Sequence, residues 1–220
     1  MKASEQESYW QSAGYRGPTD PVVRAYVQPK LDLVESVLPL AERSILDVGC
    51  GPGLFTYHLA RRARRVVGTD VSPWMLKNSQ EVKTVRADAA DLPFCDKSFD
   101  VTFEANLLHH VPNPARVVTE MTRVAREAVV IIEVNALNPV MFAFSLLNPA
   151  ERGGLRSFRH YLCRLLKDAG LVVEHFWTTG MISQNNTPGF LVPVLKLFDF
   201  SFPFGEYHVG VARKPSGDAP

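Results

Sequence analysis

Ser44-Ile45-Leu46-Asp47-Val48-Gly49-Cys50-Gly51-Pro52-Gly53-Leu54 decides the fold. Its first five residues read as a short buried strand, glycines follow at alternate positions, and a helical pattern runs from Leu54 to about Arg62. Outward from it the same alternation continues. Arg65 to Thr69 is a second strand ending at Asp70, and Ser72-Pro73 has the pattern of an N-cap and first helical residue. Lys83 to Ala87 reads as a third strand ending at Asp88, Asp100 to Ala105 as a fourth and Ala128 to Val134 as a fifth. Between the last two, Val117, Val118, Met121, Val124 and Ala125 recur at helical spacing. Strands apolar on both faces and separated by helices predict a parallel sheet covered on both sides.

Further out, Ser157 is placed to cap a helix whose stripe is Phe158, Tyr161, Leu162, Leu165, Leu166 and Ala169, with Gly170 closing it. Strands at Leu171 to Thr178 and Tyr207 to Ala212 complete the pattern, and a helical stretch at Tyr26 to Leu38 precedes it. The organisation expected is one domain over 1–214 with a helical cap at 1–43, acceptor-side insertions at 136–156 and 179–206, and a disordered tail at 215–220.

The glycine loop lets a ligand lie against bare backbone at the carboxyl edge of the sheet. Leu54 stands where the third glycine of a dinucleotide fingerprint would fall. Asp47, at the strand end, would repel a pyrophosphate and attract the cationic amino group of a methionine moiety. An unpaired carboxylate there would be costly without such a ligand. Asp70 can accept both hydroxyls of a ribose, a feature common to several nucleoside sites. Asp88 can accept from an exocyclic adenine amine, and Val71 and Met75 are apolar neighbours for the ring.

Asp47 to Gly53, Asp70-Val71-Ser72, Ala87-Asp88-Ala89, Leu92-Pro93-Phe94, Ser98 to Val101 and Asn106-Leu107-Leu108-His109-His110-Val111 together resemble the class I methyltransferases that use S-adenosylmethionine (SAM). Within them the sequence is similar to the branch containing ubiquinone and menaquinone biosynthesis enzymes. The resemblance is dense over 44–134 and looser beyond. It implies an α/β fold: a Rossmann-like, seven-stranded, mostly parallel sheet with helices on both faces and an antiparallel last strand, which Tyr207–Ala212 could supply. It also implies that Asp47 and the loop Gly49, Cys50, Gly51 and Gly53 hold the methionyl part, Asp70 the ribose, and Asp88 with Ala89 the adenine. Asn106 would approach the methionyl end through its backbone. Many relatives carry a Lys-Pro-Gly-Gly turn before the fifth strand, and here Arg123 to Ala128 contains no glycine.

His109 and His110 are the candidates for a general base, and either could instead pack under its loop. Tyr9, Trp10 and Tyr15 could form a lid or anchor a covering helix. Met141 and Phe142, with Phe190, Phe198, Phe200, Phe202 and Phe204, could wall an apolar acceptor pocket or serve as core or contact surface. Cys50 fits as a small residue between glycines. No His, Cys or Asp cluster has metal-ligand spacing, so no metal is expected.

Composition bounds the rest. The 220 residues are 46% hydrophobic and 21% charged with a net charge of +1, enough for a core and without the basic excess of a nucleic-acid binder. Three scattered cysteines, a polar start and no apolar run near the ~20 residues that cross a bilayer lead to the expectation of a cytoplasmic protein. Monomer and homodimer are both open. The function expected is transfer of a methyl group from SAM to a small, partly apolar acceptor, leaving S-adenosylhomocysteine (SAH). The alternatives are an NAD-dependent oxidoreductase on a similar sheet and a non-catalytic SAM-binding partner protein.

Overall fold

A computed structural model of the protein describes residues 11, 14–79 and 82–215. Seven strands form one sheet: β1 (Ser44–Val48), β2 (Arg65–Asp70), β3 (Thr84–Arg86), β4 (Phe99–Ala105), β5 (Ala125–Val134), β6 (Val172–Thr179) and β7 (Tyr207–Arg213). Their order is β3-β2-β1-β4-β5-β7-β6, and β7 runs antiparallel to both of its neighbours. The chain leaves β1 toward β2 on one side and returns to β4 on the other, which opens a crevice at the carboxyl ends of β1 and β4.

Alternating strand residues serve two cores, as a doubly covered sheet requires. Ile45, Phe103, Val130 and Ile132 pack against Tyr26, Val27, Leu31 and Val34 of α1 (Pro21–Val37) and Phe55 and Leu59 of α2 (Leu54–Leu59). Leu46, Val48, Val129 and Ile131 face Val117, Met121 and Val124 of α4 (Pro114–Val124) and Leu162 and Leu166 of α6 (Arg159–Asp168). Between these, α3 (Pro73–Asn78) starts as its sequence predicts: Ser72 accepts from the Met75 amide and Pro73 follows, a cap worth about 1 kcal/mol.

Several boundaries differ from expectation for identifiable reasons. Helix α1 begins five residues before Tyr26, because Asp20 caps the Val22 amide at 2.7 Å ahead of Pro21. Helix α2 stops at Leu59, where the bonds Arg61 N to His58 O and Arg62 N to Leu59 O tighten the last turn. Ala125 belongs to β5 rather than to the helix before it; without a glycine link the chain turns extended at once, at ψ 143°. Ser157 does not cap α6: it closes a 3-10 segment at Pro149–Arg156, and Phe158 holds the cap position without a side-chain bond. Gly170 does close α6, at φ +83°.

The insertions flank the carboxyl edge of the sheet. One carries α5 (Pro139–Leu147) and the 3-10 segment; the other carries a short α7 (Val192–Leu195). Asn138 starts α5 by accepting from the Val140 and Met141 amides and ties it to the second insertion by donating to Phe204 O at 2.7 Å. No helix of the described residues is long and apolar enough to cross a membrane. Tyr9, Trp10 and the tail from 216 lie outside the described residues.

Candidate functional site

Three left-handed glycines shape the loop after β1, with φ +69° at Gly49, +53° at Gly51 and +83° at Gly53. At two of them an added Cβ would also crowd a neighbouring side chain. A Cβ on Gly49 would stand 2.6 Å from Leu107 Cδ1, and one on Gly53 would stand 2.2 Å from Ser79 Oγ. Cys50 is the small residue that fits beneath the loop, where burial pushes its thiol well up, as suits an inert packing group.

The loop borders a cavity of about 890 Å³ at the sheet's carboxyl edge. Asp47, Gly49, Cys50, Gly51, Asp70, Val71, Met75, Asp88, Ala89 and Asn106 all line it. Gly53 does not, although Pro52 and Leu54 on either side of it do; it holds the cap position of α2. Thus three strand-end acids brought together only by the fold share one hollow.

Asp47 is 1% exposed and accepts from Thr56 Oγ1 at 2.6 Å, a partner on α2 that the strand pattern gave no hint of. Burial, with the nearby Asp70 charge and against the Thr56 bond, pushes its carboxyl up to about 7. Asp70 straps the loop to β2: one oxygen accepts from the Gly51 amide and the other from the Ser72 amide, both at 2.9 Å. Asp88 sits exposed at the rim, where it accepts from the Ala90 amide at 2.9 Å.

Asn106 stands past β4 in a left-handed conformation, φ +58°. Its amide is committed to Ile132 O at 2.8 Å, so a backbone approach to a ligand falls to its carbonyl. Its side-chain NH₂ donates to the Tyr26 hydroxyl at 2.7 Å, and its buried Oδ1 has no hydrogen-bond partner.

The histidine pair lines the same cavity, and neither ring is in an ordinary state. His109 Nδ1 lies 2.6 Å from Glu133 Oε2, and its Nε2 lies 3.3 Å from Glu151 Oε2. Burial opposes a charge on His109, but the two carboxylates outweigh it and hold the ring up at about 10. His110 is pushed down to about 3 by burial and by the charge on His109, while its Nδ1 lies 3.2 Å from Ala150 O. At neutral pH His109 thus keeps its proton and His110 is a neutral ring of low basicity, so neither has the near-neutral value that suits a general base.

Glu133, Glu151 and the loop 183–186 are lining or supporting residues that the sequence did not single out. Glu151 arrives because Gly153 lets the 3-10 segment press on the histidine loop; a Cβ there would stand 1.7 Å from His109 O. Tyr15 lines the cavity and its ring lies 5.8 Å from Trp74, at the open side. Met141 also lines it, together with Phe144, three residues along the same helix face. Phe142 does not: it is rotated off that face and 43% exposed. Phe190, Phe198, Phe200, Phe202 and Phe204 are likewise absent from the lining.

Residues 46–132 match the family model described as a methyltransferase domain. A methyltransferase of Mycobacterium sp. (strain JLS) is 41% identical over 88 residues, covering 38% of this chain and 35% of that protein. The ubiquinone biosynthesis O-methyltransferase of Hahella chejuensis is 31% identical over 128 residues, covering 54% of each. The chain thus spans about a third to about half of the length of these curated relatives. Among solved structures, a SAM-dependent methyltransferase of Thermotoga maritima superposes with TM-score 0.68 at 19% identity, covering 96% of this chain and 95% of that one. The magnesium protoporphyrin IX methyltransferase of Synechocystis, solved with bound SAH, gives TM-score 0.62 at 17% identity, covering 96% and 94%. The sheet order and its antiparallel β7 are those of the class I methyltransferase fold.

Proposed function

We propose, from a chain whose 46–132 segment carries the methyltransferase-domain pattern on a class I methyltransferase fold, that it transfers the methyl group of SAM to a small, partly apolar acceptor. The observation that carries this reading is the convergence of Asp47, Asp70 and Asp88 with the glycine loop on one cavity. Asp47 and the loop hold the cationic methionyl end, Asp70 takes the ribose hydroxyls, and Asp88 with Ala89 takes the adenine between Val71 and Met75. The acceptor enters from the side of Tyr15, Met141 and Phe144. Displacement at the sulfonium methyl needs the acceptor atom in line with the departing sulfur. A walled cavity supplies that alignment, as entropy paid at binding rather than at reaction. The acceptor atom gains the methyl group, SAH leaves, and no redox partner takes part.

Calorimetric titration with SAM across pH tests the reading through Asp47. In the free protein its carboxyl titrates near 7, and the cationic ligand selects the ionised form. Binding below that value must expel a proton. Affinity is therefore expected to rise with pH, approaching tenfold per unit well below about 7 and levelling above it. Binding of NADH with no response to SAM would overturn the assignment.

A further inference from the structure

Both histidine rings are held by Nδ1, and both Nε2 atoms are turned toward one carboxylate. On His109 the holding acceptor is Glu133 Oε2 at 2.6 Å, and on His110 it is Ala150 O at 3.2 Å. Glu151 Oε2 lies 3.3 Å from His109 Nε2 and 3.9 Å from His110 Nε2, and the nearest set of ligand atoms of the three residues fits within 4.8 Å. Metal-bound histidines are commonly oriented in this way, with the second ring nitrogen fixed by a carboxylate or a backbone carbonyl. Nε2 of His109 is buried and makes no hydrogen bond of good geometry. The surroundings are acidic as well, since Glu104 and Glu133 are fully buried beneath the pair.

We propose that Nε2 of His109, Nε2 of His110 and a carboxylate oxygen of Glu151 form a site for a divalent transition-metal ion. Two imidazoles with one carboxylate suit an ion of the Zn²⁺ or Co²⁺ class and not Mg²⁺, which favours oxygen ligands. Metal-ligand bonds of about 2.0–2.2 Å place tetrahedral ligand atoms about 3.3–3.5 Å apart, and a small turn of His110 or Glu151 reaches that spacing. The ion takes the place of the proton on His109 Nε2, so the histidines act as ligands instead of as a base. Among the described residues these three offer ligand atoms, and a tetrahedral ion held by them would take an acceptor oxygen as its fourth ligand. That last role rests on the methyl-transfer reading, whereas the metal site does not.

Titration of the chelator-treated full chain with Co²⁺, without SAM, tests the site. One equivalent is expected to bind, with visible absorption bands and paramagnetically shifted imidazole resonances from two of the six histidines. His110→Ala and Glu151→Gln should each weaken binding at least about tenfold, with melting curves showing that both variants fold. Undiminished affinity in both variants, no binding at about 1 mM Co²⁺, or no shifted histidine resonances in the unaltered protein would overturn the proposal. Because SAM is absent, failure here is separate from failure of the cofactor reading.

Discussion

Asp47→Ala is expected to weaken SAM binding by about 10- to 100-fold, the loss of one charge-assisted contact worth about 1.5–3 kcal/mol. The same change should leave the fold at least as stable at pH 8. Asp47 is 1% exposed and its carboxyl is raised by burial to about 7. A carboxylate with a raised value stabilises the fold, relative to its ionised form, only while it holds its proton. That contribution is complete below about 3.8 and is lost as pH rises through about 7. The alanine variant avoids the cost of the buried charge, so its stability relative to the native chain should improve from pH 5 to pH 8. Against this stands only the Thr56 hydroxyl, which loses its acceptor. Calorimetry with SAM and denaturant titrations at the two pH values read both quantities. A variant that keeps its affinity, or loses affinity only because it unfolds, contradicts the role given to Asp47. Such a site trades stability for binding, a common feature of functional positions.

Glu133→Ala is expected to cost about 3–5 kcal/mol of folding stability. Glu133 is fully buried on β5 and accepts from the Leu108 amide and from His109 Nδ1, each at 2.6 Å. Truncation leaves a buried amide without an acceptor and a buried imidazolium without its main counter-charge. Loss of the charge also removes the largest influence raising His109, so the ring should titrate well below about 10. Glu133→Gln, which keeps a carbonyl for the amide, should cost less. Chemical denaturation measures the loss and histidine NMR follows the titration. A change below about 1 kcal/mol would show that the histidine loop is held by other means.

Strands β1, β2 and β4, the Ser72-Pro73 start of α3 and the apolar stripe of α4 were legible because each is written in local periodicity and capping chemistry. The three acids at strand ends were legible for a related reason: topology places every parallel strand's carboxyl end on one edge. What the residues alone did not reveal depends on contacts between distant segments. Thr56 as the partner of Asp47 needed the rotation of α2, and Glu151 beside the histidines needed the approach that Gly153 permits. Spacing along the chain does not mark that group, because its third member lies on another segment. Phe142 was misplaced because an almost wholly apolar helix gives no stripe from which to choose its inner face. The polar loop 183–186 carries no periodic signal at all, yet it closes one side of the cavity.

Whether the glycine loop and the three acids form a SAM site is decided by a crystal structure of the chain with SAH. The amino group of SAH is expected against Asp47, the ribose hydroxyls on Asp70, the adenine amine at Asp88 and the sulfur facing the side of the cavity that holds His110 and Met141. SAH bound elsewhere, or in this cavity with its adenine toward Met141 and its ribose away from Asp70, would contradict it.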